Sequence, residues 1–139
     1  MSSKRKGIFA IVYRNPDSFL LVNTKNENIS FIAGGVEEDE TREDAVIREI
    51  KEESGIEVER HQVKELPFVN KFIYNKGFLK GVDGEQQVYL VKVDDKVEIK
   101  PEDIDVPWAK WMTKDEVKEN LTFDHVKKIF EKSLEYLEV

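Results

Sequence analysis

Residues 34–56 read GGVEEDETREDAVIREIKEESGI, and the change of period inside this stretch decides the fold. Up to Gly35 the chain has strand character, and from Thr41 onward the spacing is helical. Thr41 suits an N-cap, Glu43 and Asp44 fall in the first turn where carboxylates meet the positive end of the helix, and Gly55 stands where a left-handed terminating glycine belongs. These signals predict a helix over Arg42–Ser54. At about 100° per residue, Val46, Ile47 and Ile50 share a core-facing arc, while Asp44 and Lys51 share one that faces water. Arg48, Glu49, Glu52 and Glu53 fill a third arc. With Glu49 at i, Glu52 at i+3 and Glu53 at i+4, three carboxylates crowd one patch. Like charges at that spacing weaken a helix and make each carboxylate harder to ionise. A divalent cation reverses the repulsion, and clustered carboxylate oxygens suit hard Mg²⁺, with Mn²⁺ as a substitute. Arg48, four residues before Glu52, is placed to hold that carboxylate by an ion pair. A merely solvated acidic helix displays the same three residues, so the carboxylates alone do not decide the function. The loop ahead of the helix adds to them. Gly34 and Gly35 let the backbone run close to a ligand, and Glu40 is a candidate support for a metal cluster.

Outward from this stretch, Gly7–Tyr13 and Phe19–Asn23 read as strands joined by a turn at Pro16-Asp17, and Ile29–Ile32 as a short strand. After the helix, strands are expected at Glu65–Tyr74 and Gln87–Val93, with Gly77, Gly81 and Gly84 between them, and a short one at Trp108–Met112. Thr113 and Glu116 form a capping-box pattern that opens a brief helix. A last helix is expected from Thr122, with Phe123, Val126, Ile129, Phe130, Leu134 and Leu137 at helical spacing. Strands on both sides of a central helix, with a packed C-terminal helix, predict a mixed sheet between helical layers.

The 139 residues fit one domain. With 22 Lys and Arg against 29 Asp and Glu, the formal charge is −7. Such a chain lacks the electrostatic attraction that drives binding to nucleic-acid duplexes, so no duplex partner is expected. A polyphosphate ligand then needs a metal ion or a local basic patch. The absence of cysteine excludes disulfides, thiolate catalysis and Cys-based zinc sites. His61 and His125 are far apart in sequence and read as surface side chains. Lys4, Arg5 and Lys6 before the apolar run Ile8–Tyr13 loosely imitate a signal peptide, but the run is short and stops at Arg14-Asn15-Pro16-Asp17. No segment approaches a membrane span. The expectation is a cytoplasmic protein without a membrane partner, either monomer or homodimer.

Gly34, five residues, Glu40, seven residues, then Arg48-Glu49-Ile50, one residue, Glu52-Glu53, one residue and Gly55-Ile56 resembles the complete Nudix box, in the strand–loop–helix context that motif needs. The flanking strands and the Trp-containing segment extend the resemblance over most of the chain. Family loops often read Gly-Gly-Gly after a proline, with a glycine ahead of the first glutamate. Here Ile32 and Ala33 replace the first part and Asp39 the later glycine, a residue that tolerates the left-handed region. The resemblance implies an α/β/α sandwich around a central mixed sheet, and a Mg²⁺-dependent hydrolase that cuts a phosphoanhydride bond in a nucleoside diphosphate derivative. It implies Glu49, Glu52 and Glu53 as metal ligands, joined by the Gly34 carbonyl. It also implies Arg48 as part of the catalytic apparatus, and Glu52 or Glu53 as general base, with Asp105 and Asp103 as loop alternatives. Chemistry would be substitution at phosphorus assisted by positioning and charge neutralisation.

For the substrate, Tyr74 lies 18 residues after Ile56, where dinucleoside polyphosphate hydrolases of the family carry a tyrosine. Gly84-Glu-Gln-Gln-Val-Tyr-Leu, then Trp111 and Thr122-Phe123, is similar to the branch of diadenosine polyphosphate hydrolases and RNA 5′-pyrophosphohydrolases. In that branch an aromatic like Phe123 stacks on a base and is followed by a basic residue, where this chain has Asp124. Lys71, Phe72, Tyr74, Lys76, Phe78 and Lys80 mix charge with aromatic groups, a combination able to grip a phosphate tail and a base. For Phe72 and Phe78 the preferred reading is an ordinary hairpin with one face buried. The expected substrate-binding set is Tyr74, Phe123, Lys71 and Asp105. Alternatives are a house-cleaning hydrolase of (oxidised) nucleoside triphosphates and a non-catalytic nucleotide-binding module of the same fold.

Overall fold

The computed structural model describes residues 5–23, 28–73, 81, 83–100 and 108–138. Tyr74, Lys76, Phe78, Lys80, Asp103 and Asp105 lie outside the described residues. Strand β1 (Arg5–Asn15) runs through the middle of a seven-stranded sheet. Its apolar run Ile8–Tyr13 is buried throughout because both faces are covered by helices. Along one edge β1 pairs in parallel with β6 (Asp83–Lys92), from Arg5 opposite Gly84 to Tyr13 opposite Lys92. The other edge is shared. Antiparallel β4 (Ile32–Gly35) takes Gly7–Ala10, and β2 (Ser18–Asn23) takes Tyr13 and Asn15. β3 (Ile29–Ser30) and β7 (Trp108–Met112) both pair antiparallel with β2, and β5 (Val63–Ile73) closes the far edge against β6. The mixed sheet is thus as expected.

The single strand expected over Ile29–Ile32 is two. Phe31 separates β3 from β4, and each half pairs with a different neighbour. The side chain of Phe31 is buried, with its ring 5.7 Å from Phe9 and 5.6 Å from Phe130. The β5–β6 pair is longer than its alternation suggested and is interrupted between Glu65 and Val69, around Pro67, which has no N–H for the ladder. Gln87 Nε2 donates to the carbonyls of Leu66 (2.6 Å) and Phe68 (3.1 Å) there.

Helix α1 (Arg42–Ser54) covers one face of the sheet, and Ala45, Val46 and Ile50 pack with Ile8, Ala10, Val12 and Tyr89. The other face carries α2 (Lys114–Asn120) and α3 (Asp124–Ser133), with Val117, Val126, Ile129 and Phe130 against Phe9, Ile11 and Leu90. This is the α/β/α sandwich. The Thr113–Glu116 capping box forms as read, through bonds of 3.2 and 2.8 Å. The last helix begins later than expected. Phe123 is its N-cap residue and is 39% exposed, outside the core that the other residues of that helical pattern join. Thr122 is instead tied to β3: its N–H donates to the Ile29 carbonyl, and its Oγ1 accepts from the Ile29 N–H. Among the described residues no helix is long and apolar enough to cross a membrane.

The C-terminus of α1 fixes how the helix lies. Gly55 adopts φ 76°, its N–H bonds the Lys51 carbonyl at 2.8 Å, and the Lys100 backbone packs so closely that a methyl group on Gly55 would collide with it. Gly55→Ala therefore combines left-handed strain with a clash, and should lower the unfolding free energy in urea by roughly 1–3 kcal/mol. Gly35→Ala, where added bulk meets open space, should cost less than about 1 kcal/mol.

Candidate metal and catalytic site

Residues 36–41 deliver the chain from the sheet into α1. Asp39 takes φ 66°, the left-handed conformation open to an Asp in the place of a glycine. The turn is closed by the Glu40 N–H on the Glu37 carbonyl (3.1 Å) and by the Glu37 N–H on Glu40 Oε1 (2.9 Å). Thr41 Oγ1 then accepts from the Asp44 N–H at 3.1 Å, the expected cap.

Arg48 occupies the centre of the site. Its Nε and one terminal nitrogen grip Glu40 as a fork at 2.8 and 3.0 Å, and the same terminal nitrogen donates to the Gly35 carbonyl at 3.0 Å. The other terminal nitrogen donates to Glu49 Oε1 at 2.7 Å and reaches Glu52 at 3.4 Å. The expected Arg48–Glu52 ion pair is present but is not the main contact of the guanidinium. The fork goes to Glu40, across the loop, and Glu52 receives only the long contact. Glu40 serves the guanidinium and the turn together. Its hydrogen bonds from Arg48, strengthened by the Glu37 N–H, hold its carboxyl below the usual carboxylate range, and the Glu40 and Glu49 carboxylates in turn push the Arg48 guanidinium up.

The three box carboxylates share one side of α1 but differ in surroundings. Glu53 is buried at 8% exposure, the Glu49 side chain is 14% exposed and that of Glu52 is 44% exposed. A methyl group on Gly34 would meet the Glu49 carboxyl where it now stands, so the loop backbone lies directly against that carboxylate, whose flexible end would have to move for any side chain there. The donor set consists of oxygens alone, which fits a hard divalent cation. Among the described residues, no three Asp, Glu or His side chains converge on one point. Glu49 and Glu52 reach toward Arg48, so they must rotate to share an ion.

Beside Gly34 and Gly35 a cleft of about 180 Å³ opens at the start of β1, with Lys6, Phe72 and Gln86 on its walls. Sequence reading missed Gly7 and Gln86 as site residues, and it placed Phe72 in a buried face rather than on this wall. Only strand register brings them together. Lys71 is exposed on β5, opposite Glu85, which stands opposite Lys6. Phe123 sits at the start of α3, the helix on the sheet face away from α1, with its ring 5.6 Å from that of His125. A larger cleft of about 350 Å³, lined by Tyr13, His61, Lys64 and Lys92, lies at the other end of β1. It is roughly 20 Å along the strand from Gly7. Size notwithstanding, it is remote from the carboxylates.

Two outcomes follow from the Arg48 network. Arg48→Lys cannot reproduce the fork, so kcat should fall by about 10-fold or more with a smaller change in KM; a change in KM alone would place Arg48 on substrate instead. Because the folded protein lowers the affinity of Glu40 for protons, that pair stabilises above the ordinary carboxylate value of 4.5, and its contribution is lost as pH falls through the depressed folded value. Melting curves from pH 7 to pH 3 should therefore drop more steeply for wild type than for Glu40→Gln.

The sequence profile described as NUDIX domain matches residues 3–132. A sequence search of curated proteins gave no match. Among solved structures, the E. coli dihydroneopterin triphosphate pyrophosphohydrolase superposes with TM-score 0.77 at 17% identity, covering 95% of this chain and 96% of that one. A C. elegans Ap4A hydrolase in a binary complex gives TM-score 0.77 at 19% identity, with coverage of 95% and 96%. A bifunctional NMN adenylyltransferase/ADP ribose pyrophosphatase from Francisella tularensis, complexed with AMP and a Mn ion, gives 0.75 at 23%, covering 98% of this chain and 42% of that one. At these identities the likeness is one of fold, whereas the profile spans nearly the whole chain: the protein belongs to the Nudix family.

Proposed function

We propose that the chain catalyses Mg²⁺-dependent hydrolysis of a phosphoanhydride bond in a nucleoside diphosphate linked to another moiety, with a dinucleoside polyphosphate or an RNA 5′-polyphosphate end as the substrate class. The observation that carries the reading is the contact of Gly34 with the Glu49 carboxyl, next to Glu52 and Glu53 on the same helix and beside an open cleft. Glu49, Glu52, Glu53 and the Gly34 carbonyl would hold the metal. Bound there, Mg²⁺ supplies charge neutralisation for the bridging phosphates and acidifies a water.

The chain's own residues do the rest. Arg48 keeps Glu49 aligned while tying the loop to the helix through Glu40 and Gly35. Glu52, the most exposed of the three and only distantly held by Arg48, is the best-placed proton acceptor for the attacking water, with buried Glu53 better suited to a fixed ligand. The dinucleotide class is supported by Phe123, the exposed large hydrophobic side chain among the described residues, which offers a stacking platform outside the cleft. A base stacked on an aromatic ring contributes about 1–3 kcal/mol. The fold shared with the C. elegans Ap4A hydrolase is compatible with that class.

With Mg²⁺, a dinucleoside tetraphosphate should yield a nucleoside monophosphate and a nucleoside triphosphate (AMP and ATP from Ap4A), while a nucleoside triphosphate yields monophosphate and pyrophosphate; compared at the same base, the first should show the higher kcat/KM. Glu53→Gln should lose roughly 100-fold or more of that activity with an unchanged or raised melting temperature, since one like charge is removed from the patch. Full turnover in excess EDTA would defeat the metal assignment. Phe123→Ala should stay folded and erode the preference for Ap4A while leaving small triphosphates almost unaffected. A tenfold preference for 8-oxo-dGTP would instead select the house-cleaning alternative.

A further inference from the structure

Strand register sets up a second recognition element on the sheet face away from α1. Gly7 of β1 stands opposite Gln86 of β6, and Gln86 opposite Asn70 of β5. Phe9 and Val88, two residues further along their strands, pack in the core beneath α3, so the Gly7–Gln86–Asn70 row belongs to that face. One row further out, Phe72 stands opposite Gly84, and its ring lies over that glycine so closely that a methyl group would collide with the ring carbons. Gly7, Gly34, Gly35, Phe72 and Gln86 all line the small cleft. With Ala33, Lys6 and Glu85 completing the lining, it has an aromatic wall, a glycine-rich stretch of bare backbone, one primary amide, and a lysine and a glutamate from the neighbouring row of β1 and β6.

That amide is oriented. Asn70, 4% exposed, donates its Nδ2–H to Gln86 Oε1 at 3.0 Å. With the carbonyl end of Gln86 turned to Asn70, the NH₂ end faces the cleft. At 180 Å³ the space falls below the roughly 300 Å³ at which ligand pockets usually begin. It has room for one ring system, with sugar and phosphates left to pass over Gly34 and Gly35 toward the α1 carboxylates.

We propose that this cleft seats a nucleobase of the substrate against Phe72, and that Gln86, positioned by Asn70, selects a base bearing a ring carbonyl over one bearing an exocyclic amino group. The inference rests on the nucleotide reading above, and it adds the residues that read the base. An NH₂ facing a carbonyl makes a hydrogen bond, whereas an NH₂ facing another NH₂ sets two donors against each other in a partly buried site. Gln86 is the specificity-determining residue and Asn70 a positioning residue.

The test is binding of inosine 5′-monophosphate against adenosine 5′-monophosphate by titration calorimetry without metal, since the two share sugar and phosphate and differ in carrying a carbonyl or an amino group at ring position 6, with the accompanying hydrogen on N1 of the inosine base. Wild type should bind the inosine nucleotide roughly five- to tenfold more tightly, the span of one net hydrogen bond. Asn70→Asp supplies an acceptor alone, so it must take a hydrogen from the Gln86 NH₂ and turn the Gln86 carbonyl into the cleft. The preference should then pass to the adenosine nucleotide, although Asn70 itself does not touch the base. Gln86→Glu presents an acceptor directly and should reverse the preference in the same sense. If the buried charge prevents Asn70→Asp from folding, Gln86→Glu at its half-buried position decides. Equal wild-type affinity for the two nucleotides, or an unchanged ratio in the folded variants, overturns the proposal. Turnover with Mg²⁺ is scored separately. If no nucleoside polyphosphate is cleaved while the binding preference reverses as stated, the catalytic reading fails and the base site stands; cleavage without any reversal gives the converse.

Discussion

The guanidinium of Arg48 is where three pieces of chain are held together. One side chain on α1 bonds Glu40 in the turn before the helix, the carbonyl of Gly35 at the end of β4 and Glu49 on its own helix. Glu37, Glu40, Glu49 and Glu52 would otherwise set four like charges against one another around one guanidinium, two from the entry turn and two from the second half of the helix. A planar fork with fixed donor directions can answer several of them at once, which a point charge on a flexible stem cannot. Because those carboxylates in turn raise the guanidinium's hold on its proton, the charge at the centre persists wherever the protein is folded. The distance between loop and helix is thereby set, and with it the position of Gly34 against Glu49.

The remaining geometry depends on the two ends of α1. Thr41 starts the helix, and Gly55, closed against the Lys100 backbone, stops it. Between them the helical repeat carries Glu49, Glu52 and Glu53 to one side, while Val46 and Ile50 anchor the adjacent side on β1. Burial then distinguishes three chemically identical carboxylates. Glu53 lies at the protein's edge of the patch, Glu52 at the solvent's edge, and Glu49 against the glycine loop. Identical groups thus stand in different surroundings, with a different dielectric and different partners around each.

The site straddles the sheet. The carboxylates belong to the α1 face, while the cleft with Phe72 and Gln86 opens on the face that α3 covers further along. They meet at Gly34 and Gly35, where β4 runs beside the start of β1 and Gly35 pairs with Gly7, leaving bare backbone at that step of the edge. A ligand whose ring and phosphate tail have different needs can satisfy both by crossing that edge. The protein carries a formal charge of −7, so a phosphate tail has little to gain from its overall field.

Much of this was legible in the chain itself. The switch from strand to helix after Gly35, the cap at Thr41, the stop at Gly55 and the shared arc of the carboxylates are consequences of local stereochemistry. They depend on residues at most a few turns apart, and a sequence states those directly. Asp39 in the left-handed region belongs to the same class, since it concerns one residue's own backbone. Tertiary structure decided what depends on partners distant along the chain. Spacing suggested Glu52 as the partner of Arg48, yet the fork goes to Glu40, because the turn folds that residue back over the helix and its two oxygens match the fork. Spacing alone left Phe123 between core and ligand platform; with Thr122 tied to Ile29, α3 starts at Asp124, two positions later than expected, and the ring lies outside the core. Nothing local marks Gly7, Asn70, Phe72 and Gln86 as neighbours. Their meeting is fixed by the register of β1, β6 and β5, and register is settled by which faces of all three strands can be buried together.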